Sequence, residues 1–163
     1  MKTHGGDFVS LIQTPTCLRP KTWMPSPRNK FATAITCIDG RVQQPISDWM
    51  KLHTNVDYVD LITEPGPDKE LSDGSVHVID EIVRKVSFSI LHHSSSVVAV
   101  AGHHDCAAND ADKGEHIEQI LEGVRVLLSY GLNARVLGLW LNEWNSVELV
   151  WDTQEREPAR SFL

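Results

Sequence analysis

The chain predicts an α/β fold: a single domain with a mainly parallel central sheet, helices on its faces and an antiparallel hairpin at one edge. Three observations carry this. Short apolar, β-branched runs alternate with amphipathic stretches of helical period. Turn signals such as Asp-Gly and Pro-Gly close several of the runs. The last two runs are too close together for a crossover, so they must fold back on each other.

The elements follow in order. "FATAITCIDG" (31–40) is a buried strand closed by Asp-Gly. "PISDWMKLH" (45–53) reads as a short helix with Pro45 in its first position, where a missing N–H costs nothing. "VDYVDLIT" (56–63) is a second strand, stopped by "EPGP". In "SVHVIDEIVRKVSFSILHH" (75–93) Ile79, Ile82, Val83, Val86 and Ile90 fall on one stripe, which predicts a helix. His92 and His93 suit its C-terminal end. "SVVAVAG" (96–102) is the third strand, and "GEHIEQILEGVRVLLSYG" (114–131) a helix burying Ile117, Ile120, Leu121, Val124 and Leu128 and stopping at Gly131. "ARVLGLWLN" (134–142) and "SVELVW" (146–151) form the hairpin. Trp140, Trp144 and Trp151 gather near it, as an interface or as core. Residues 1–30 carry Pro15, Pro20, Pro25 and Pro27 and read as an irregular arm; 31–163 form the domain.

Composition narrows the function. Net charge is -7, which argues against nucleic acid or an anionic membrane as partner. No apolar run approaches a membrane span, and the first twenty residues hold no continuous apolar core of a signal peptide. Three cysteines, Cys17, Cys37 and Cys106, are too few and too odd for a disulfide framework. They fit a reducing, cytoplasmic location and thiol or metal chemistry. Cys17 lies in the arm and reads as a bystander. His4, His53 and His77 have no partner legible in sequence.

Ligands of open parallel sheets bind beyond the carboxyl ends of the strands. Two such ends carry reactive residues: "TCIDGR" after the first strand and "GHHDC" after the third. Cys37, His103 and Cys106 are therefore the expected ligands of one zinc ion, three protein donors with a fourth position open. His104 is the rival to His103, at tighter spacing to Cys106. Asp39 lies two residues past Cys37, with Arg41 placed to hold it as a bidentate ion pair. It either accepts a hydrogen bond from a metal-bound water or fills the fourth position itself. Asp105 either accepts backbone N–H bonds at its turn or takes part in the chemistry. There is no G-x-G-x-x-G, P-loop or C-x-x-C, which leaves little for a nucleotide or redox domain.

"CIDGR" followed by "VVAVAGHHDCAAN" resembles the zinc site of the β-class carbonic anhydrases, C-x-D-S-R and then G-H-x-D-C-G. The order of elements over about residues 31–152 is similar too. The resemblance implies a parallel α/β sheet, one zinc per subunit and a homodimer or larger homo-oligomer. It implies hydration of carbon dioxide as the small-molecule reaction, with Asp39 and Arg41 as the orienting pair. His104, read from its residue type alone, is either a proton shuttle or a residue that supports the ligands or lies at the surface. Gly40 and Ala107 depart from the pattern slightly. The larger departure is "TEPGP" (63–67), where the family carries R-N-A-G. The metal site carries over; the pocket does not, and carbonyl sulfide or carbon disulfide stand as alternative substrates beside a non-catalytic zinc module.

Overall fold

In the computed structural model, which describes residues 29–154, the elements run β1 (Phe31–Cys37), α1 (Gly40–Thr54), β2 (Tyr58–Glu64), α2 (Pro67–Asp73), α3 (Val76–His93), β3 (Val97–His103), α4 (Lys113–Ser129), β4 (Arg135–Leu141) and β5 (Val147–Asp152). The expected proline-rich arm, with His4 and Cys17, lies outside the described residues except for its last two. The strands form one sheet in the order β2-β1-β3-β4-β5. The first four are parallel and β5 is antiparallel to β4, the predicted edge hairpin.

This order creates a switch point. The chain moves outward from β1 to β2, then returns across β1 to lay down β3 on its other side. The crevice between the carboxyl ends of β1 and β3 therefore opens where the connections diverge, the usual binding position of such sheets. Every residue of β1 and of β3 is buried, because both strands are central and covered on both faces. One face packs Ala32, Ala34, Ala99 and Leu139 against Val42, Ile46 and Met50 of α1. The other packs Ile35, Val98 and Val100 against Ile82 and Val86 of α3 and Val124 and Leu127 of α4. Truncating Ile46, fully buried under the sheet, to alanine is expected to cost about 2–5 kcal/mol, read as a loss in melting temperature.

Three sequence expectations need correction. The first helix begins at Gly40, not Pro45, so Pro45 sits inside it. The start is set by Asp39, whose side chain accepts from the Arg41 N–H. The capping carboxylate and burial of Val42, Ile46 and Met50 against the sheet together offset the hydrogen bond lost at the internal proline. Second, "PGPDKELSD" does not merely stop a strand: Pro67 opens α2, with Gly66 before it at φ 57°. Third, the buried face of α4 comprises His116, Gln119, Ile120, Gly123, Val124 and Leu127, while Leu128 is exposed and Ile117 and Leu121 are half-buried. The stripe keeps its 3–4 spacing but admits polar residues. Gly123 is there because α2 lies close: a Cβ on it would stand 3.1 Å from that of Leu71.

Smaller placements are also resolved. His93 is not simply a helix-end histidine; its Nδ1–H donates to Asp60 at 2.6 Å, as does the Ser89 hydroxyl. His53 Nδ1–H donates to the Trp49 carbonyl at 2.8 Å, and the His53 ring stacks on that of Trp49. Trp140 is core, Trp151 packs partly buried, and Trp144 is exposed at the hairpin tip. No helix among the described residues is long and apolar enough to cross a membrane.

Candidate metal centre

Cys37 is the last residue of β1 and His103 the last of β3, so the sheet register itself places both at the switch-point crevice. Cys106 returns to them through the turn His103-His104-Asp105-Cys106. Asp105 makes that return possible at φ 54°, a left-handed conformation that Asp and Asn tolerate better than other side chains. The sulfurs of Cys37 and Cys106 stand 3.9 Å apart, and the three donor atoms of Cys37, His103 and Cys106 lie within 4.8 Å of one another. All three residues are buried.

The donors fit zinc. Tetrahedral zinc at about 2.3 Å from each thiolate separates two sulfurs by roughly 3.8 Å. A disulfide would need about 2.05 Å, and both thiols are free. His103 Nε2 is buried with no hydrogen-bond partner among the described residues, while the ring bonds to the His104 backbone. A buried ring nitrogen left so costs about 1–3 kcal/mol, which a metal bond removes. Fixing the ring through its other nitrogen is how metal-ligating histidines are oriented. His104 does not join the donors; its backbone N–H donates to Leu141 at 3.0 Å and its side chain is half-buried at the rim.

Protonation favours the same reading. Burial lowers the pKa of His103, against smaller opposing effects of the His104 backbone and the Asp39 and Asp68 carboxylates. The imidazole is therefore neutral near pH 7, ready to ligate. Burial raises the pKa of Cys106, and the adjacent Cys37 and Asp68 push it further up, against an Ala108 N–H bond. Without a cation this thiol keeps its proton.

Asp39 and Arg41 sit beside the donors as a clamp. Arg41 Nε reaches both Asp39 oxygens at 3.1 and 3.0 Å, Nη2 reaches Oδ2 at 2.6 Å, and the Arg41 backbone N–H reaches Oδ1 at 2.9 Å. The side-chain and backbone bonds from Arg41 hold the Asp39 pKa down at about 2; the pairing raises that of Arg41 in turn. The pair arises from the helix cap, not from alternation along an extended turn. Asp105 accepts from Arg41 rather than from backbone at its own turn: Nη1 donates to its Oδ2 at 3.2 Å, and Nη2 to its carbonyl at 3.4 Å. Arg41 thus ties the two ligand-bearing loops together.

The departing segment is more deeply engaged than the sequence suggested. Glu64 pairs with Cys37 in register and its carboxylate is ion-paired with Lys85 of α3. A Cβ on Gly66 would meet those of Asn109 at 3.3 Å and Ala108 at 3.4 Å, so the loop lies against the chain that follows Cys106. Sequence reasoning missed four buried polar residues here: Asp68, Asn109, His116 and Gln119. The only signal was a histidine and a glutamine in the apolar register of α4. Gly102, directly before His103, exists for Asp68: a Cβ there would fall 2.8 Å from its Oδ2 and 3.0 Å from Ile120 Cδ1. Gly102→Ala is expected to lose about 1–3 kcal/mol through overpacking, measured by denaturant midpoint. A groove of about 600 Å³ between α2 and α4, rimmed by Asp73, Glu115, Glu118 and Glu122, contains none of the metal donors.

No curated protein matches the sequence. Among solved structures, the chain is similar to β-carbonic anhydrase isoform I of the protozoan Trichomonas vaginalis, with a TM-score of 0.53, 17% identity, and coverage of 79% of this chain and 88% of that one. It is also similar, at 12% identity, to a β-carbonic anhydrase from a study of two tetrameric enzymes of Sordaria macrospora, with a TM-score of 0.45 and coverage of 74% and 80%. CafA, the β-carbonic anhydrase of Aspergillus fumigatus, gives 0.42 at 12% identity, with 74% of each chain covered. At such identities the likeness is one of fold, and the first structure carries it. The sequence itself matches the family described as "Putative carbonic anhydrase" over residues 27–151, and the chain belongs to that family.

Proposed function

We propose that the protein is a zinc enzyme that hydrates carbon dioxide to bicarbonate and a proton. The observation that carries this is the combination of three convergent donors with a carboxylate held away from them. Asp39 is not among the atoms that converge, and three N–H groups of Arg41 occupy its oxygens. That supports an open fourth position rather than a closed, structural site.

Zinc held by Cys37, His103 and Cys106 supplies a Lewis acid that makes hydroxide available from water near neutral pH. The chain's own groups do the rest. Three N–H groups of Arg41 make four contacts to the two Asp39 oxygens, which fixes the carboxylate as the acceptor proposed to orient an attacking water. Because Asp39 stays ionised down to about pH 2, it acts as an acceptor throughout the working range. Arg41, charged at every relevant pH, keeps it in place. His104, half-buried next to the ligand His103, is proposed to pass the released proton to solvent. The Glu64–Pro67 segment, where the β-class pattern has an arginine and an asparagine, leaves other small linear electrophiles such as carbonyl sulfide as the second reading.

The test pairs zinc analysis with stopped-flow hydration of the zinc-replete protein between pH 6 and 9, and with carbonyl sulfide as alternative substrate. One zinc per chain and hydration above background are expected. Full zinc with neither substrate turned over would leave a non-catalytic zinc module. Affinity for the metal should also rise with pH, by on the order of tenfold per pH unit for each thiol proton displaced. Competition titrations at pH 6, 7 and 8 check this, and a flat profile would contradict a protonated Cys106 thiol in the metal-free state. A homo-oligomer in the cytoplasm completes the proposal. The edge strand β2, with Tyr58 and Leu61 exposed, is a surface consistent with assembly, and light scattering of the purified protein reads the mass.

A further inference from the structure

Four polar side chains are buried together on the α4 side of β3, and the reaction uses none of them. Asp68 of α2 and His116 of α4 are each about 1% exposed, Asn109 3% and Gln119 8%. Their hydrogens can be assigned. A carboxylate only accepts, so His116 Nδ1–H donates to Asp68 Oδ2. The Asn109 amide then donates its two hydrogens to Asp68 Oδ2 at 3.1 Å and to Gln119 Oε1 at 2.7 Å. The knot joins three pieces of chain that are not neighbours in sequence: α2, α4 and the loop after Cys106.

Its position matters more than its bonds. Asn109 closes the turn that begins at Cys106, its N–H donating to the Cys106 carbonyl at 3.1 Å. Asp68 lies against Gly102, the residue before His103, closely enough that alanine does not fit. Gly66, at φ 57°, brings the same segment against Ala108 and Asn109. The stretch Glu64–Asp68 therefore touches both metal-bearing segments from behind.

We propose that the Asp68–His116–Asn109 knot is a positioning network for the metal centre: it fixes the Cys106 loop against the end of β3 and so sets zinc affinity. The proposal rests on the zinc reading above and deepens it. It also gives the departing segment a role: in place of pocket-lining polar groups it delivers a buried carboxylate. The negative charge of Asp68 is felt at both His103 and Cys106, where it complements a bound cation. Groups behind metal ligands typically change affinity by about 10–100-fold when removed.

The experiment uses the full chain as wild type, Asp68→Asn and Asn109→Ala. Zinc dissociation constants are measured by competition with a chromophoric chelator, and melting temperatures with and without zinc. Asp68→Asn is expected to weaken zinc binding about 10–100-fold, and Asn109→Ala in the same direction. The melting-temperature gain on adding zinc should shrink in both. A merely structural knot lowers the metal-free melting temperature but leaves zinc affinity of the folded protein within twofold of wild type; that result overturns the proposal. If Asp68→Asn does not fold, Asn109→Ala, which leaves the Asp68–His116 pair intact, decides alone. A wild type that binds no zinc removes the zinc reading and this inference together. Tight wild-type binding with equally tight variants removes only the inference.

Discussion

Cys106→Ser is expected to strip the protein of zinc and to bring carbon dioxide hydration down to the uncatalysed rate. The serine hydroxyl fits the space but does not ionise in this pH range, so one of three protein ligands is lost. Zinc bound by four ligands at about 10–16 kcal/mol implies roughly 3 kcal/mol per ligand, or a hundred- to thousandfold loss of affinity. Cys37→Ser should behave alike, because the two sulfurs are 3.9 Å apart and face one point. Zinc content after gel filtration, with the hydration rate per chain, reads both. The competing view is that Cys37 and Cys106 are two small core residues, as buried cysteines often are. On that view the serine variants lose some stability through an unpaired buried hydroxyl, about 1–3 kcal/mol, while zinc content does not change. The convergence of Cys37, His103 and Cys106 on one point already counts against it, since packing alone gives no reason to gather three metal-ligand types there.

The Cys37–His103–Cys106 cluster was legible because two of its residues, Cys37 and His103, end strands, and strand ends are what a sequence marks best. "FATAITC" and "VVAVAGH" are continuous apolar runs, so their last residues identify the level of the crevice without knowledge of strand order. Adjacency of β1 and β3 followed only from the outward-and-back topology, which periodicity does not encode. The start of α1 was misplaced for a physical reason. Pro45 is a strong local signal, but Asp39 caps the helix one turn earlier and the chain accepts an internal proline. The face of α4 was misread for another. Hydrophobicity alone selects Ile117 and Leu128, whereas His116 and Gln119 are buried because Asp68 and Asn109 arrive from elsewhere in the chain to bond them. A polar residue in a core can be recognised from sequence only when its partner is local, and these partners are 10 to 48 residues away.

Arg41→Ala should slow hydration about 10- to 100-fold, as loss of a group orienting metal-site residues generally does, and should change the shape of the pH profile. In the native protein Arg41 holds Asp39 at a pKa of about 2. The sign follows from that depression. The ionised carboxylate contributes stability above the ordinary carboxylate range, and the contribution disappears only as pH falls through about 2. Protonation of Asp39 therefore produces no acid limb between pH 6 and 9 in either protein, since even an unpaired carboxyl titrates near 4. What changes is where the carboxylate goes. Without the Arg41 side chain, Asp39 would be free to bind a zinc held by Cys37, His103 and Cys106 and would compete with water for it. Competition is strongest at low pH and weakens as hydroxide becomes abundant, so the variant should lose most activity near pH 6 and recover toward pH 9. Asp39→Asn separates the two effects. It removes the competing carboxylate along with the acceptor that orients water, and its rate should fall with no recovery at high pH. Asparagine caps a helix about as well as aspartate, so a lost cap does not explain a rate loss of this size by unfolding. An Arg41→Ala enzyme with the native rate and native profile would show that Asp39 needs no restraint, and the open fourth position would then have to be maintained by the metal-binding loops alone.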